Sequence, residues 1–322
     1  MSALWICGAG AVSPAGDGGS GPRRVPEGLP LRAGFPASAV RWLDACSLWW
    51  VNAARAAAGG GLDPGWGQVV GLGWTSVAPV QEILTACHRR GFAAMPPARF
   101  PLSVGNAPAG QAGLLLGLRG GAVTLNGKEA AGLAALLEAC RLLRAGLLEG
   151  CLSGGVDELD PFLLRLLRHI RPSGSPPLGE GAYALLLKRS AAAPPGALCR
   201  VAAWAQCGAP CPPHRYPDAV PLLERLSADL SRADDLPPDW VCLPADTPAL
   251  AEAASSWAGR RWPRARRISF QPRLGVCGAS WAGAAAEAAG AVARGEAGRV
   301  LLMAVATGGA AYALTLEAER GQ

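Results

Sequence analysis

One stretch constrains this chain more than any other: Ala122-Val123-Thr124-Leu125-Asn126-Gly127-Lys128-Glu129-Ala130, with the residues that follow it. The apolar run Ala122 to Leu125 predicts a short buried strand. Asn126-Gly127 predicts a sharp turn. Ala130, Leu133, Ala134, Leu137 and Cys140 recur at helical spacing, so a helix is expected from about Lys128 to Gly146. Cys151 to Val156 then reads as a second strand. Strand, tight turn and helix make an elbow that lifts one side chain to a helix N-terminus, where the helix dipole favours negative charge. In an enzyme that place holds a nucleophile. Here it holds Glu129.

Other segments narrow the reading. Leu4 to Pro14 predicts a buried strand running into a Gly-rich turn. Its Gly8-x-Gly10 is too short for a dinucleotide loop, since the third glycine and the following helix are missing. Residues 15–40 read as a Gly/Pro/Arg-rich loop, Leu43 to Ala57 as a helix and Gln68 to Gly73 as a strand. A helix is expected from Val77 to Arg89, with Pro79 tolerated in its first turn. Val77, Val80 and Leu84 share one of its faces, which periodicity alone would assign to plain core packing. Arg99 to Gln111 reads as an irregular loop into a helix, and Leu178 to Leu187 as glycines followed by a buried strand. Pro194-Pro195-Gly196 marks a joint between residues 1–190 and 191–322, expected to form two βα halves of one compact unit.

The elbow resembles the β-ketoacyl synthase family. Its members carry an active cysteine at this turn, then a small-residue helix ending near a glycine, then a Gly-Gly strand. Ala11-Val12-Ser13-Pro14, the segment around Asn106 and Gly110, and Gly179-Glu180-Gly181-Ala182 resemble further family segments, so the likeness spans nearly the whole chain. The resemblance implies an α/β protein of the five-layered αβαβα thiolase fold, built from two pseudo-duplicated halves. The loop over residues 15–40 is shorter than the family's.

The same resemblance empties the catalytic positions. Counting back from Arg144-Ala145-Gly146 puts the family's cysteine on Glu129, and a carboxylate cannot form the thioester such an enzyme needs. The family's His-Gly-Thr-Gly-Thr loop corresponds to Trp240 to Glu252, shortened so that the first histidine falls on Leu243 or Pro244. Counting back from Gly278-Ala279 puts the family lysine on Phe270 and the second histidine on Gly275. Ala306-Thr307-Gly308-Gly309 replaces the Phe-rich gating loop. His88, His169 and His214 all lie outside these segments and read as solvated or satisfied.

Composition excludes other classes. At 322 residues the chain can bury a large core. Half of it is hydrophobic, yet no run of 18 apolar residues is present, so no membrane span is expected. The N-terminus lacks a basic leader, and the ten scattered cysteines read as reduced thiols of a cytoplasmic protein. Cys207-x-x-x-Cys211-x-x-His214 lacks a fourth ligand and is not read as a metal site; no cofactor is implied. The net charge of +6 is mild, and the basic run Arg260 to Arg267 reads as a solvated loop rather than a nucleic-acid surface.

The expected function is therefore a ketosynthase-shaped subunit without catalysis, resembling the chain length factors of type II polyketide and aryl polyene (xanthomonadin-type) systems. Such a subunit pairs with an active ketosynthase and meets an acyl carrier protein. The resemblance places the shared tunnel along Val77, Val80, Leu84 and Thr307, and the interface at Val123, Thr124 and Leu125. The alternatives are a malonyl-carrier-protein decarboxylase and a homodimeric acyl-binding scaffold.

Overall fold

The computed structural model describes residues 2–14, 21–26, 35–74, 76–232 and 236–319. The first half of the chain runs β1 (Ala3–Val12), α1 (Ala37–Val40), α2 (Ala45–Ala58), β2 (Gly67–Leu72), α3 (Val77–Arg90), α4 (Ala107–Leu116), β3 (Ala122–Asn126), α5 (Ala131–Arg144), β4 (Gly150–Asp157), α6 (Pro161–Ile170) and β5 (Gly181–Ser190). The second runs β6 (Cys199–Gly208), α7 (Ala219–Ser231), β7 (Trp240–Cys242), α8 (Pro248–Arg261), β8 (Arg266–Ile268), α9 (Gln271–Leu274), α10 (Ser280–Ala293), β9 (Arg299–Val305) and β10 (Ala310–Glu317).

The strand order is β3-β2-β4-β5-β1-β6-β10-β9-β7-β8. This order is a repeat. β2 lies parallel to β3 and β4, while β5 is antiparallel to β4 and β1. In the second half β7 lies parallel to β8 and β9, while β10 is antiparallel to β9 and β6. The halves join where Leu4, Trp5 and Ile6 of β1 pair with Val201, Arg200 and Cys199 of β6. Sequence comparison of the halves gives no such signal, because each uses its own apolar residues at equivalent places.

Alternation along the strands builds the layers. On β5, Tyr183, Leu185 and Leu187 face a central core shared with α5 and α10, while Ala182, Ala184 and Leu186 face the outer helices α2 and α4. On β9, Val300, Leu302 and Ala304 face the same centre, while Leu301, Met303 and Val305 face α7 and α8. Helices α5 and α10 thus lie between the two half-sheets, and the other helices cover the outside. Gly8 and Gly10 belong to this packing, not to a ligand loop. A Cβ on either would fall within 2.1–2.2 Å of the carbonyl oxygens of Ala57 or Ala53 on α2.

Some expectations need correction. β3 is not buried: Ala122 and Asn126 are exposed and Val123, Thr124 and Leu125 only half-buried, because β3 is the edge of the sheet. α5 begins after a 3-10 turn at Lys128–Ala130, later than Lys128. Of the 15–40 loop, residues 15–20 and 27–34 lie outside the described residues, and Ala37–Val40 is a short helix. All ten cysteines are free. Among the described residues no helix is long and apolar enough to cross a membrane, and no three His, Cys, Asp or Glu side chains group to hold a metal.

Candidate functional site

The elbow forms as its local signals require. β3 ends at Asn126, Gly127 turns, and Lys128 takes φ 51, the left-handed region that only this non-glycine residue enters among those described. That conformation turns the chain tightly enough to stand Glu129 ahead of α5, whose own N-terminus has no side-chain cap. Lys128 turns away and donates from Nζ to the carbonyls of Pro213 and Thr307, tying the elbow to the second half.

Glu129 is clasped rather than displayed. The Thr307 backbone N–H donates to its Oε2 at 3.2 Å, and the Thr307 hydroxyl lies 3.1 Å from Oε2 and 3.3 Å from Oε1. Thr307 sits in the turn between β9 and β10, whose two glycines both take positive φ. The backbone donor that could stabilise an anion beside the elbow is therefore already used by the protein's own carboxylate.

The positions matched to the family's acid–base groups are closed. Leu243 and Pro244 are buried, as is Phe270, whose ring meets Trp281 edge-on with centroids 4.7 Å apart. Gly275 caps α9 with φ 75 and ψ 175, and a Cβ there would stand 2.5 Å from the Gly179 Cα. No side chain fits at that place without moving the segment before β5.

A cavity of about 600 Å³ opens at the elbow. Trp74, Leu167, Ile170, Leu178 and Val276 supply apolar wall, while Lys128, Glu129, Arg171, Tyr216, Asp246 and Thr307 supply polar groups. Of the expected tunnel residues only Thr307 lines it. Val77 packs at the edge of a small cluster with Leu163 and Leu167, Val80 is half-buried and Leu84 is 63% exposed, so core packing does not account for this face. Val123, Thr124 and Leu125 lie on the sheet edge, away from the cavity lining.

Sequence reasoning missed the cavity's buried network. Tyr216 donates to Asp246 Oδ2 at 3.2 Å, Gln271 Nε2 donates to Oδ1 at 3.3 Å, and Arg171 Nη2 donates to the Asp246 carbonyl at 3.2 Å. Burial, then the charge of Glu129, pushes the Asp246 carboxyl up to about 7. Burial raises the Tyr216 phenol well above its usual range and lowers the Arg171 guanidinium. Cys277, also in the wall, is a buried thiol pushed up to about 12, chiefly by burial, and cannot serve as a ready nucleophile. His214 lies on the cavity rim, while His88 and His169 are exposed elsewhere. An acid in the otherwise apolar loop after Cys242 was the available signal for Asp246.

Residues 66–193 match the β-ketoacyl synthase N-terminal domain. The chain has the fold of the ketosynthases over nearly its whole length. It resembles the chains of ketosynthase and chain length factor pairs. A type II polyketide synthase structure described as AntDE:AntF, an acyl-carrier protein in complex with its ketosynthase bound to the hexaketide, superposes with TM-score 0.82 at 19% identity, covering 99% of this chain and 100% of that one. The ishigamide ketosynthase/chain length factor gives TM-score 0.81 at 16% identity over 99% and 100% of the two chains. A β-ketoacyl synthase from Burkholderia phymatum STM815 gives 0.82 at 17%, again over 99% and 100%. No curated protein matches the chain by sequence.

Proposed function

We propose that this ketosynthase-like chain is a non-catalytic subunit that pairs with an active ketosynthase, as a chain length factor does, and shapes the tunnel for a growing acyl chain delivered on a carrier protein. The observation that carries the reading is the clasp: the elbow presents a carboxylate held by the Thr307 N–H and hydroxyl, where a condensing enzyme needs a thiolate and a free donor. Decarboxylation loses the two histidines that would stabilise an enolate, because Pro244 (or Leu243) and Gly275 stand at the positions matched to them.

The surface supports pairing. The β3 edge leaves Val123, Thr124 and Leu125 half-open, and an open strand edge is an aggregation hazard that a partner strand removes. Helix α4 packs beside β3 and the 97–102 turn, which packs on α3; on these segments and the 92–94 turn, Leu84 is 63% exposed, Phe92 88%, Phe100 57% and Leu114 79%. So much apolar surface around one edge marks a protein interface. In this reading Val77, Val80 and Leu84 line a tunnel that the partner completes.

The test is co-expression with an active ketosynthase, followed by size exclusion and by incubation of the lone chain with radiolabelled malonyl carrier protein. The expected result is a heterodimer, a self-associating lone chain and no released carbon dioxide. A monodisperse monomer that ignores the ketosynthase, or carbon dioxide release by the lone chain, overturns the proposal.

A further inference from the structure

Pairing through the β3 edge gives the elbow cavity no task, yet its wall holds a cation that the protein leaves largely unused. Arg171 directly follows α6 and is half-buried. Its guanidinium makes one hydrogen bond among the described residues, from Nη2 to the Asp246 carbonyl at 3.2 Å, and no Asp or Glu oxygen stands within ion-pair distance of it. Other arginines that reach inward are matched: Arg24 pairs with Glu180, and Arg200 and Arg299 pair with Glu317. A cation suits a helix C-terminus, but this side chain donates to none of the α6 carbonyls. Burial lowers the guanidinium from its usual range, as befits a charge stripped of part of its water.

The acids in the same wall already have donors. Glu129 is held by the Thr307 N–H and hydroxyl, and Asp246 accepts from Tyr216 and Gln271. Lys128 and the exposed Arg215 add positive charge to the lining. Leu167 and Ile170, on the last turn of α6 just before Arg171, continue the wall with Trp74, Leu178 and Val276 as apolar surface. A cavity of about 600 Å³, mostly apolar with a few polar groups, is of the size and kind that holds a small organic ligand. We propose that the elbow cavity binds a free amphipathic carboxylic acid without covalent chemistry, its carboxylate paired with the Arg171 guanidinium and its apolar body against Trp74, Leu167 and Ile170. A guanidinium takes a planar carboxylate through two parallel N–H bonds, and a single negative charge suits one free cation beside two acids better than a phosphate does. The site goes beyond the pairing reading and does not rest on it, since the lone chain carries every residue named.

Isothermal titration of the full chain with four probes tests this: 4-phenylbutanoate, its neutral amide, 4-phenylbutylamine and malonate. The phenylbutanoate should bind saturably at one site per chain, the amide and the amine at least about ten-fold more weakly, and malonate, which has no apolar body, no better than they do. Arg171→Gln should bring the acid down to the affinity of the amide, with circular dichroism confirming the fold. Ile170→Glu, at a position 63% exposed and so tolerant of the change, should weaken the acid about ten-fold by placing a like charge on the wall. Arg168→Gln, exposed on α6 and outside the cavity lining, should leave it unchanged. Equal binding of acid and amide, an affinity that survives Arg171→Gln, or no saturable binding at all overturns the proposal. Tighter binding of the amine also overturns it and assigns the cavity to a cation; malonate binding as tightly as phenylbutanoate overturns the amphipathic requirement. None of these outcomes bears on heterodimer formation, and a chain that ignores the ketosynthase would still bind the acid.

Discussion

Gly275→Ala isolates the claim that the second histidine position is physically closed. Gly275 sits at φ 75 and ψ 175, a region open in practice only to glycine, and an alanine forced to stay there costs about 1–3 kcal/mol. The added Cβ would also stand 2.5 Å from the Gly179 Cα, 2.6 Å from its N and 2.8 Å from the Leu178 carbonyl carbon. These are backbone atoms, so no side chain can swing aside, and overpacking of this kind adds about 1–3 kcal/mol. Together the loss is about 2–6 kcal/mol, a large share of the roughly 5–15 kcal/mol that holds a domain folded. Urea unfolding followed by fluorescence of the chain's 11 tryptophans measures it. Gly275→His should be worse and reduce soluble yield. A Gly275→Ala chain within about 1 kcal/mol of wild type would mean that the segment before β5 yields freely, and that the position is vacant rather than closed.

Removing the clasp with Glu129→Ala should cost about 1 kcal/mol in thermal or urea unfolding, and Glu129→Gln, which can still accept from Thr307, should cost less. Asp246 is a carboxyl raised from 3.8 to about 7, so its contribution to stability is full below about pH 4 and is lost as pH rises through about 7; Asp246→Asn should flatten the fall in stability between about pH 4 and about pH 7, and an unchanged slope would remove Asp246 as its source. In a reconstituted pair, Val80→Phe or Val77→Trp should shorten the product with complex yield intact, whereas unchanged product lengths in an intact complex take these residues out of the tunnel.

What the sequence disclosed was local. The elbow was legible because Asn126-Gly127 and the spacing from Ala130 to Cys140 are short-range signals that no distant contact overrides. What covers an apolar face was not legible. Val123 to Leu125 read as buried, yet a sheet edge and a sheet centre can use the same residues. The stripe Val77, Val80 and Leu84 gave a common face correctly, but periodicity cannot say whether core, solvent or a second protein lies against it. The cavity network was out of reach for another reason. Arg171, Tyr216, Asp246 and Glu129 come from separate segments that meet only because the two halves pack through α5 and α10.

That packing also explains where the clasp comes from. The two halves repeat the same strand order, so α5 and α10 are equivalent helices, and β4 and β9 equivalent strands. Each half uses the end of its equivalent strand to secure the other half's helix start. Thr307, just after β9, donates to Glu129 ahead of α5. Asp157, at the end of β4, accepts from the Gly73 and Trp74 N–H groups, and its Oδ2 lies against Gly278 ahead of α10. The Gly132 N–H, on the first turn of α5, donates to the Gly278 carbonyl at 2.8 Å and closes the seam between them. The clasp on Glu129 is thus one side of a joint in which the strand end of each half packs against the helix start of the other. A cysteine in place of Glu129 would bring a thiol to the elbow but remove the carboxylate from this joint, with Phe270 and Gly275 still unable to move a proton. On the reading proposed above, the elbow of this chain serves the seam between halves rather than chemistry.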